Sequence, residues 1–331
     1  MSTPTPIPPD ERPRQQWLVA ALVLGCIWIL PFVLGGFWLY LGAIIACYAV
    51  ASLGLQLMVG LAGQLSLGHI AFVGIGAYTG VLLEKELGVP FIVASIGAAL
   101  LAGFFGLLMA QLIRLSGVYF KIATFGFGII CYQLLHNLKG LTGGSFGISG
   151  IPPLEILGVD FSTPAGVFTV SAVFLTVTYV LFLRMTNSRV GRAFQALGQN
   201  EPAARSIGIP VERYKMAVIT VGCIAAGWAG ALIPHIYQYL SPENFTWHES
   251  LVLLIMITIG GHGSLAGAVI GTALLIIIPE YMRDLAEYKM LVYGLLLIVS
   301  MTLLPKGIAG GVDAIVGRLR ARSSKPVQEV A

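Results

Sequence analysis

The chain has 331 residues, of which 57% are hydrophobic and only 10% charged, with a formal net charge of +4. An ordinary soluble domain is about 25% charged, so this balance excludes one and indicates an integral membrane protein. The basic excess lies between apolar runs and in the tail, where it reads as an orientation signal and not as affinity for nucleic acid.

Residues 1–16, rich in proline, form an expected disordered tail. From Gln15 to Leu83 there is no Asp, Glu, Lys or Arg, enough for three spans of roughly 20 residues each. The first of these, near 17–34, lacks a small-residue cleavage site and is expected to be retained and not removed as a signal peptide. Further spans are expected near 38–59, 68–83, 90–112, 116–137, 165–184, 214–234, 248–262, 264–281 and 289–304. The predicted fold class is therefore an all-α polytopic membrane protein of about ten transmembrane helices with glycine-rich interrupted segments. The membrane domain covers 17–304, and 305–331 is a second tail. Cys26, Cys47, Cys131 and Cys223 lie in apolar runs without CxxC spacing, which indicates neither a metal site nor a disulfide framework.

The largest polar interruption carries Arg184, Arg189, Arg192, Arg205, Arg213 and Lys215 against Glu201 and Glu212. By the positive-inside rule it is cytoplasmic, as is the tail with Lys306, Arg318, Arg320, Arg322 and Lys325. An even number of spans then places the N-terminus on the same side. The remaining loops, Glu84–Glu86, Lys139–Asp160, Ser241–Glu249 and Glu280–Lys289, become external and hold more acid than base.

Two segments stand out. "GLAGQLSLGHIAFVGIGAY", Gly60–Tyr78, and "GGHGSLAGAVIG", Gly260–Gly271, share a glycine followed after two residues by Ser-Leu: Gly63, Ser66, Leu67 and Gly261, Ser264, Leu265. Irregular backbone at membrane depth survives only where protein or a watery cavity satisfies it. Paired glycine interruptions suit both close helix packing and a substrate-lining role, as in transporters with broken helices. His69 and His262, without nearby carboxylates or thiolates, read as hydrogen-bonded to loop carbonyls and not as metal ligands.

No carboxylate falls in the central turns of an expected span, which disfavours a carrier driven by an ion gradient. No nucleophile and base or metal constellation points to a membrane enzyme, and no GxxxxGK[ST] loop is present to hold nucleotide phosphates. If ATP drives this protein, another chain binds it. Lys121 reads as reaching the near interface by snorkelling, the alternative being a buried functional lysine.

The interruption "SRVGRAFQALGQNEPAARSIGIPVERYK", Ser188–Lys215, reads as two short helices. Val190, Ala193, Phe194 and Leu197 follow i, i+3, i+4, i+7 spacing. Gly198 is a candidate stop, Asn200 a candidate cap for the second helix, and Pro202 and Gly208 its bounds. The apolar stripe needs a partner surface; the alternative is a loop lying on anionic lipid.

The chain resembles the LivM-type permease subunits of bacterial branched-chain amino acid ABC transporters. The likeness runs from Gly60 to roughly Val312. It rests on "GLAGQLSLGHIAFVGIGAY", "GVYFKIATFGFG", "TGGSFGISGIP", "GRAFQALGQNEPAARSIGI", "SPENFTWHESLVLLIMITIGGHGS" and "IPEYMRDLAEYKMLVYG…PKGI", in that order. The resemblance implies an ABC importer permease in the bacterial inner membrane, with no enzyme activity and no cofactor of its own. ATP and Mg would be bound by two cytoplasmic ATPase subunits. Its further partners would be a homologous second permease subunit, a periplasmic solute-binding protein and the lipid bilayer. It also implies an ATPase-docking loop over 185–213, with Gly191, Arg192, Ala193, Asn200, Glu201, Ala203, Ala204 and Gly208 in the docking segment. Two departures are visible. Gln199 and Asn200 stand where the family's docking loop is usually more charged, and Ile129 and Lys121 shift the local charge toward positive.

A zwitterionic amino acid with an apolar side chain needs polar groups for its ends and bare walls for its body. Gln64, Ser66, Thr124, Thr142, Gly143 and Gly144 are the candidate pathway residues. Other readings remain at this stage: urea, short amides or aromatic acids as substrate, a gradient-driven carrier, or a channel.

Overall fold

A computed structural model of the chain describes residues 11–33, 35–114 and 117–281, with scattered positions between 291 and 310. The chain runs α1 Glu11–Val33, α2 Gly36–Gln56, a π-helical turn Leu57–Leu61, α3 His69–Leu87, α4 Phe91–Ala110 and α5 Gly117–Asn137. A single helical turn, α6 Lys139–Thr142, leads into β1 Ile148–Ser149, β2 Glu155–Ile156 and β3 Val159–Asp160. Then come α7 Pro164–Thr186, α8 Arg189–Gln199, α9 Glu201–Ser206, α10 Val211–Tyr237, β4 Tyr239–Leu240, α11 Trp247–Gly260 and α12 Leu265–Tyr281.

Nine of these helices coincide with expected spans among the described residues; of the span expected at 289–304 and the tail 305–331 only scattered positions are described. Among the described residues five stretches are long and apolar enough to cross a membrane: Gly36–Leu61, Phe91–Ile113, Val118–Asn137, Pro164–Thr186 and Val211–Tyr237. Three shorter apolar helical stretches are Gln16–Pro31, Trp247–Gly260 and Leu265–Tyr281. α1 is described from Glu11, so the described helix already includes the six residues ahead of the first expected span.

One expected loop is corrected. Glu84, Lys85 and Glu86 do not connect two helices but form the last turn of α3. The helix stops where Gly88 adopts a left-handed conformation, its N–H returning to the Glu84 carbonyl and that of Val89 to Leu83, a glycine cap that satisfies the orphan carbonyls.

α2 and α10 form the centre. Lipid supplies no hydrophobic drive between helices, so they join by close approach of small residues. A β-carbon on Gly54 of α2 would lie 2.5 Å from the Gly222 carbonyl oxygen of α10. Across the other side of α10, Gly76 of α3 abuts Gly227, Gly80 abuts Ala231, and Gly227 also meets Ala98 and Ala102 of α4. Gly76 and Gly80 thus make one face of α3 a packing seam against α10. α7 covers α2 with Phe168 against Gly42, the α11–α12 hairpin packs on α2, and α1 lies outermost on α7. α5 is also peripheral and touches α3.

The helix ends segregate. At one, hereafter the basic end, α7 passes through α8 and α9 into α10, and the turns α2–α3 and α11–α12 lie beside them. At the other, β1 pairs antiparallel with β4, Ile148 opposite Leu240, and β2 with β3, Glu155 opposite Asp160.

Candidate functional site

The helix pair at the basic end is built as its sequence suggests. The Ser188 side chain caps α8 by accepting from the Gly191 N–H at 3.3 Å, and Asn200 caps α9 by accepting from the Ala203 N–H at 3.0 Å. Ala193, Phe194 and Leu197 are buried, while Val190, the fourth member of the expected stripe, is exposed. Leu197, Ala204 and Val211 close a small core between the two helices and α10. Lys215, itself buried, reaches Glu201 at 2.6 Å, and Arg205 lies 3.6 Å from the same carboxylate. Gly208 turns the chain with φ +84.

This leaves an outward face of Arg192, Ala203 and Ile207, with Ile207 73% exposed. Of the residues expected to dock, Gly191, Ala193 and Ala204 hold the helices down and Asn200 and Glu201 join them; Arg192 and Ala203 face outward. Gly191 has no room for a side chain, because its β-carbon would meet the Thr186 and Met185 carbonyl oxygens. Gly198, read from sequence as a stop, lies inside α8. Its reason is contact: a β-carbon there would run into the Leu61 carbonyl oxygen.

The two glycine-rich segments meet beside that contact. Both are turns joining antiparallel helices: residues 62–68 between the π-helical turn and α3, and residues 261–264 between α11 and α12. Gly60 abuts the backbone N of Gly263. Gln56, fully buried, donates both amide protons across the gap, to the Gly261 carbonyl at 2.8 Å and the Ser264 carbonyl at 3.1 Å. Gly63, Gly261 and Gly263 all take positive φ, which glycine alone adopts without strain.

The six candidate pathway residues fall into two groups. Around the first turn, Gln64 donates to the Ala62 carbonyl, Ser66 is buried, and its hydroxyl has no hydrogen-bond partner among the described residues. Thr124 of α5 accepts from the Leu67 N–H at 3.1 Å, and Gly68 fits against its carbonyl. Thr142, Gly143 and Gly144 lie beyond the far end of α5, about 20 Å away along the helix axis at 1.5 Å per residue. There Thr142 donates to the Leu135 carbonyl at 2.6 Å and accepts from the Gly144 N–H.

His69 is fully buried, and its Nε2 donates to the Ala51 carbonyl of α2 at 3.2 Å, a helix carbonyl where a loop carbonyl was expected. His262 is exposed in the second turn. Lys121 is half-buried in the second turn of α5. Among the described residues no group of His, Cys, Asp and Glu is placed to hold a metal ion. Sequence reasoning missed one buried ionisable contact: His235 of α10 donates to the Glu84 carboxylate at 3.2 Å, with the Phe91 ring edge-on at 5.0 Å. No local pattern announces it, since the partners are 151 residues apart.

Comparison with known proteins bears on this arrangement. Residues 20–301 match the family described as "Branched-chain amino acid transport system / permease component". The chain is 35% identical over 319 residues to the high-affinity branched-chain amino acid transport system permease protein LivM of Escherichia coli (strain K12), covering 89% of this chain and 75% of that one. It is 27% identical to LivH of Salmonella typhimurium, described in the same words, over 80% and 91% of the two chains. To the autoinducer 2 import system permease protein LsrC of Escherichia coli (strain K12 / DH10B) it is 25% identical, over 77% and 75%. No solved structure matches the chain.

Proposed function

The chain belongs to the branched-chain amino acid transport system permease family, and from that premise we propose that it is the LivM-like half of an ATP-driven importer. It translocates branched-chain or other apolar amino acids across the bacterial inner membrane. The observation that carries this reading is the helix pair α8–α9. It is a capped, folded platform with an outward face of Arg192, Ala203 and Ile207, joined to the membrane helices at both ends.

A platform of this kind suits a cytoplasmic ATPase, with two such subunits in the assembly supplying ATP and Mg. The basic end is then cytoplasmic, both termini lie on that side, and the chain crosses the membrane ten times. A periplasmic binding protein delivers solute to the opposite end.

α5 supports the second half of the assembly. Only 22% of its apolar stretch is buried within this chain. Its bare stripe runs Tyr119, Ile122, Gly126, Ile129, Gln133 and Asn137, one helical face. An exposed Gln133 on a membrane helix is better matched to a partner or a watery passage than to lipid. The homologous second permease subunit covers this stripe, and the pathway past Gln64, Ser66 and Thr124 runs beside it. Thr142, Gly143 and Gly144 lie at its outer mouth.

The test is direct. In the complete importer reconstituted in liposomes, Gly191→Trp with Arg192→Glu should abolish ATP-driven amino acid uptake and the ATPases' retention on the membrane. Normal uptake by that variant would refute the docking assignment.

A further inference from the structure

The sequence reading left open whether the two glycine-rich segments only pack or also serve transport. Their geometry joins three elements. α8 rests through Gly198 on the Leu61 carbonyl at the start of the first turn, and Gly63 of that turn lies 3.4 Å, measured from a β-carbon, from the Gly198 Cα. The end of α2 and the π-helical turn that lead into the first turn touch the second through Gly60 and Gly263 and through the two hydrogen bonds of Gln56. On its other flank the first turn is tied to α5 by Leu67 and Thr124.

Each glycine contact is steric and can slide; the Gln56 bonds cannot. α11 has 14 residues, about 21 Å at 1.5 Å per residue. That falls short of a bilayer core of about 30 Å, so the turn at its end sits below the surface, where unpaired carbonyls are strongly disfavoured. Gln56 satisfies two of those carbonyls at once. Its amide must present nitrogen to them, since the flipped orientation would set Oε1 against two acceptors. Oε1 accordingly has no hydrogen-bond partner among the described residues.

We propose that Gln56 is a positioning residue for transport, a latch that makes the α11–α12 turn follow the α2–α3 turn when α8 is moved through its seat at Gly198. This deepens the reading above and rests on it, because the force on α8 is that of the docked ATPase. The latch explains why the second turn, remote in sequence from the platform, carries the same glycine spacing as the first.

The experiment uses the complete importer, with binding protein, in liposomes and in a Cys26→Ser background. Leu65→Cys reports on the first turn and His262→Cys on the second, through their labelling rates with a small maleimide, nucleotide-free and trapped with ATP and vanadate. In the otherwise unaltered background both rates should change at least threefold on trapping. Gln56→Leu should leave the change at position 65 and remove it at 262, with binding-protein-stimulated ATP hydrolysis retained and uptake per ATP reduced about tenfold. Should Gln56→Leu fail to assemble, Gln56→Met, unbranched and of similar length, gives the same readout. A nucleotide response at 262 that survives both substitutions overturns the latch and leaves the docking assignment standing. No response at either reporter in the background while ATP is hydrolysed overturns both.

Discussion

α2 and α5 each have 21 residues and each reads as a membrane span, but 78% of the apolar stretch beginning in α2 is buried within the chain against 22% for α5. The α5 stretch is somewhat less apolar, but the contacts that bury α2 are made at its small residues. Along α2, Gly42 receives the Phe168 ring and Gly54 lies on the α10 backbone. Along α5, a β-carbon on Gly126 would meet nothing within 4 Å. A glycine in a membrane helix thus marks an approach that is either already made within the chain or left for a second subunit.

The largest expected effect breaks that distinction at one residue type. Gly54→Leu must displace the Gly222 carbonyl of α10, a backbone atom that cannot rotate away, and should destabilise the chain by about 3 kcal/mol or more, the upper range for overpacking. Size-exclusion profiles and thermal unfolding in detergent would show little folded protein. Gly126→Leu, the same substitution on α5, should leave the unfolding temperature of the isolated chain unchanged and instead lower co-purification with the second permease. Equal loss of folded chain in both variants would mean that α5 is packed internally after all.

A smaller effect sharpens the comparison with polar contacts. On α2 the Ser52 hydroxyl accepts from Thr272 of α12 at 2.9 Å and is fully buried. Ser52→Ala should destabilise by about 0.6 kcal/mol, the average for such bonds between membrane helices, a shift readable as a lower unfolding temperature. Gln133→Leu on α5 should stay within about 0.5 kcal/mol of zero, as for an exposed site, while reducing uptake by the assembled importer. Unchanged uptake would remove Gln133 from the pathway face.

What the sequence showed and what it hid follow the same line. Apolar length alone placed the described spans, because 20-residue runs between charges have few other uses. The Gly-x-x-Ser-Leu pair was legible, and the two turns that carry it do come together. Gln56 was not: its partners are 205 and 208 residues away, and nothing local separates a latch from an ordinary polar residue near a helix end. Gly198 was misread as a stop because glycine ends helices, whereas here it thins the helix surface for the Leu61 contact. Glu84 was placed in a loop because charge usually leaves the membrane helix; His235, far off in sequence, lets it remain in the last turn of α3.

The smallest predicted effect concerns the segment that follows α5 at the end away from the platform. Asp160, fully exposed, accepts from the Ser162 N–H at 2.8 Å, and the hydroxyl and then the backbone N–H of Ser162 hold its carboxyl below the usual range. A depressed folded pKa means that this contact stabilises the β2–β3 hairpin above the ordinary aspartate value of about 3.9 and is lost as pH falls through the folded value. Amide exchange pulse-labelling of 155–162 should therefore show protection falling as the sample is taken from pH 7 to 3. Asp160→Asn keeps an acceptor but not the charge, so its protection should be lower at pH 7 and flat across that range. α5 itself should not respond in either protein, because its bare face is set by a missing neighbour and not by a titrating one; loss of protection along α5 in step with the hairpin would tie the two regions together and blur the contrast with α2.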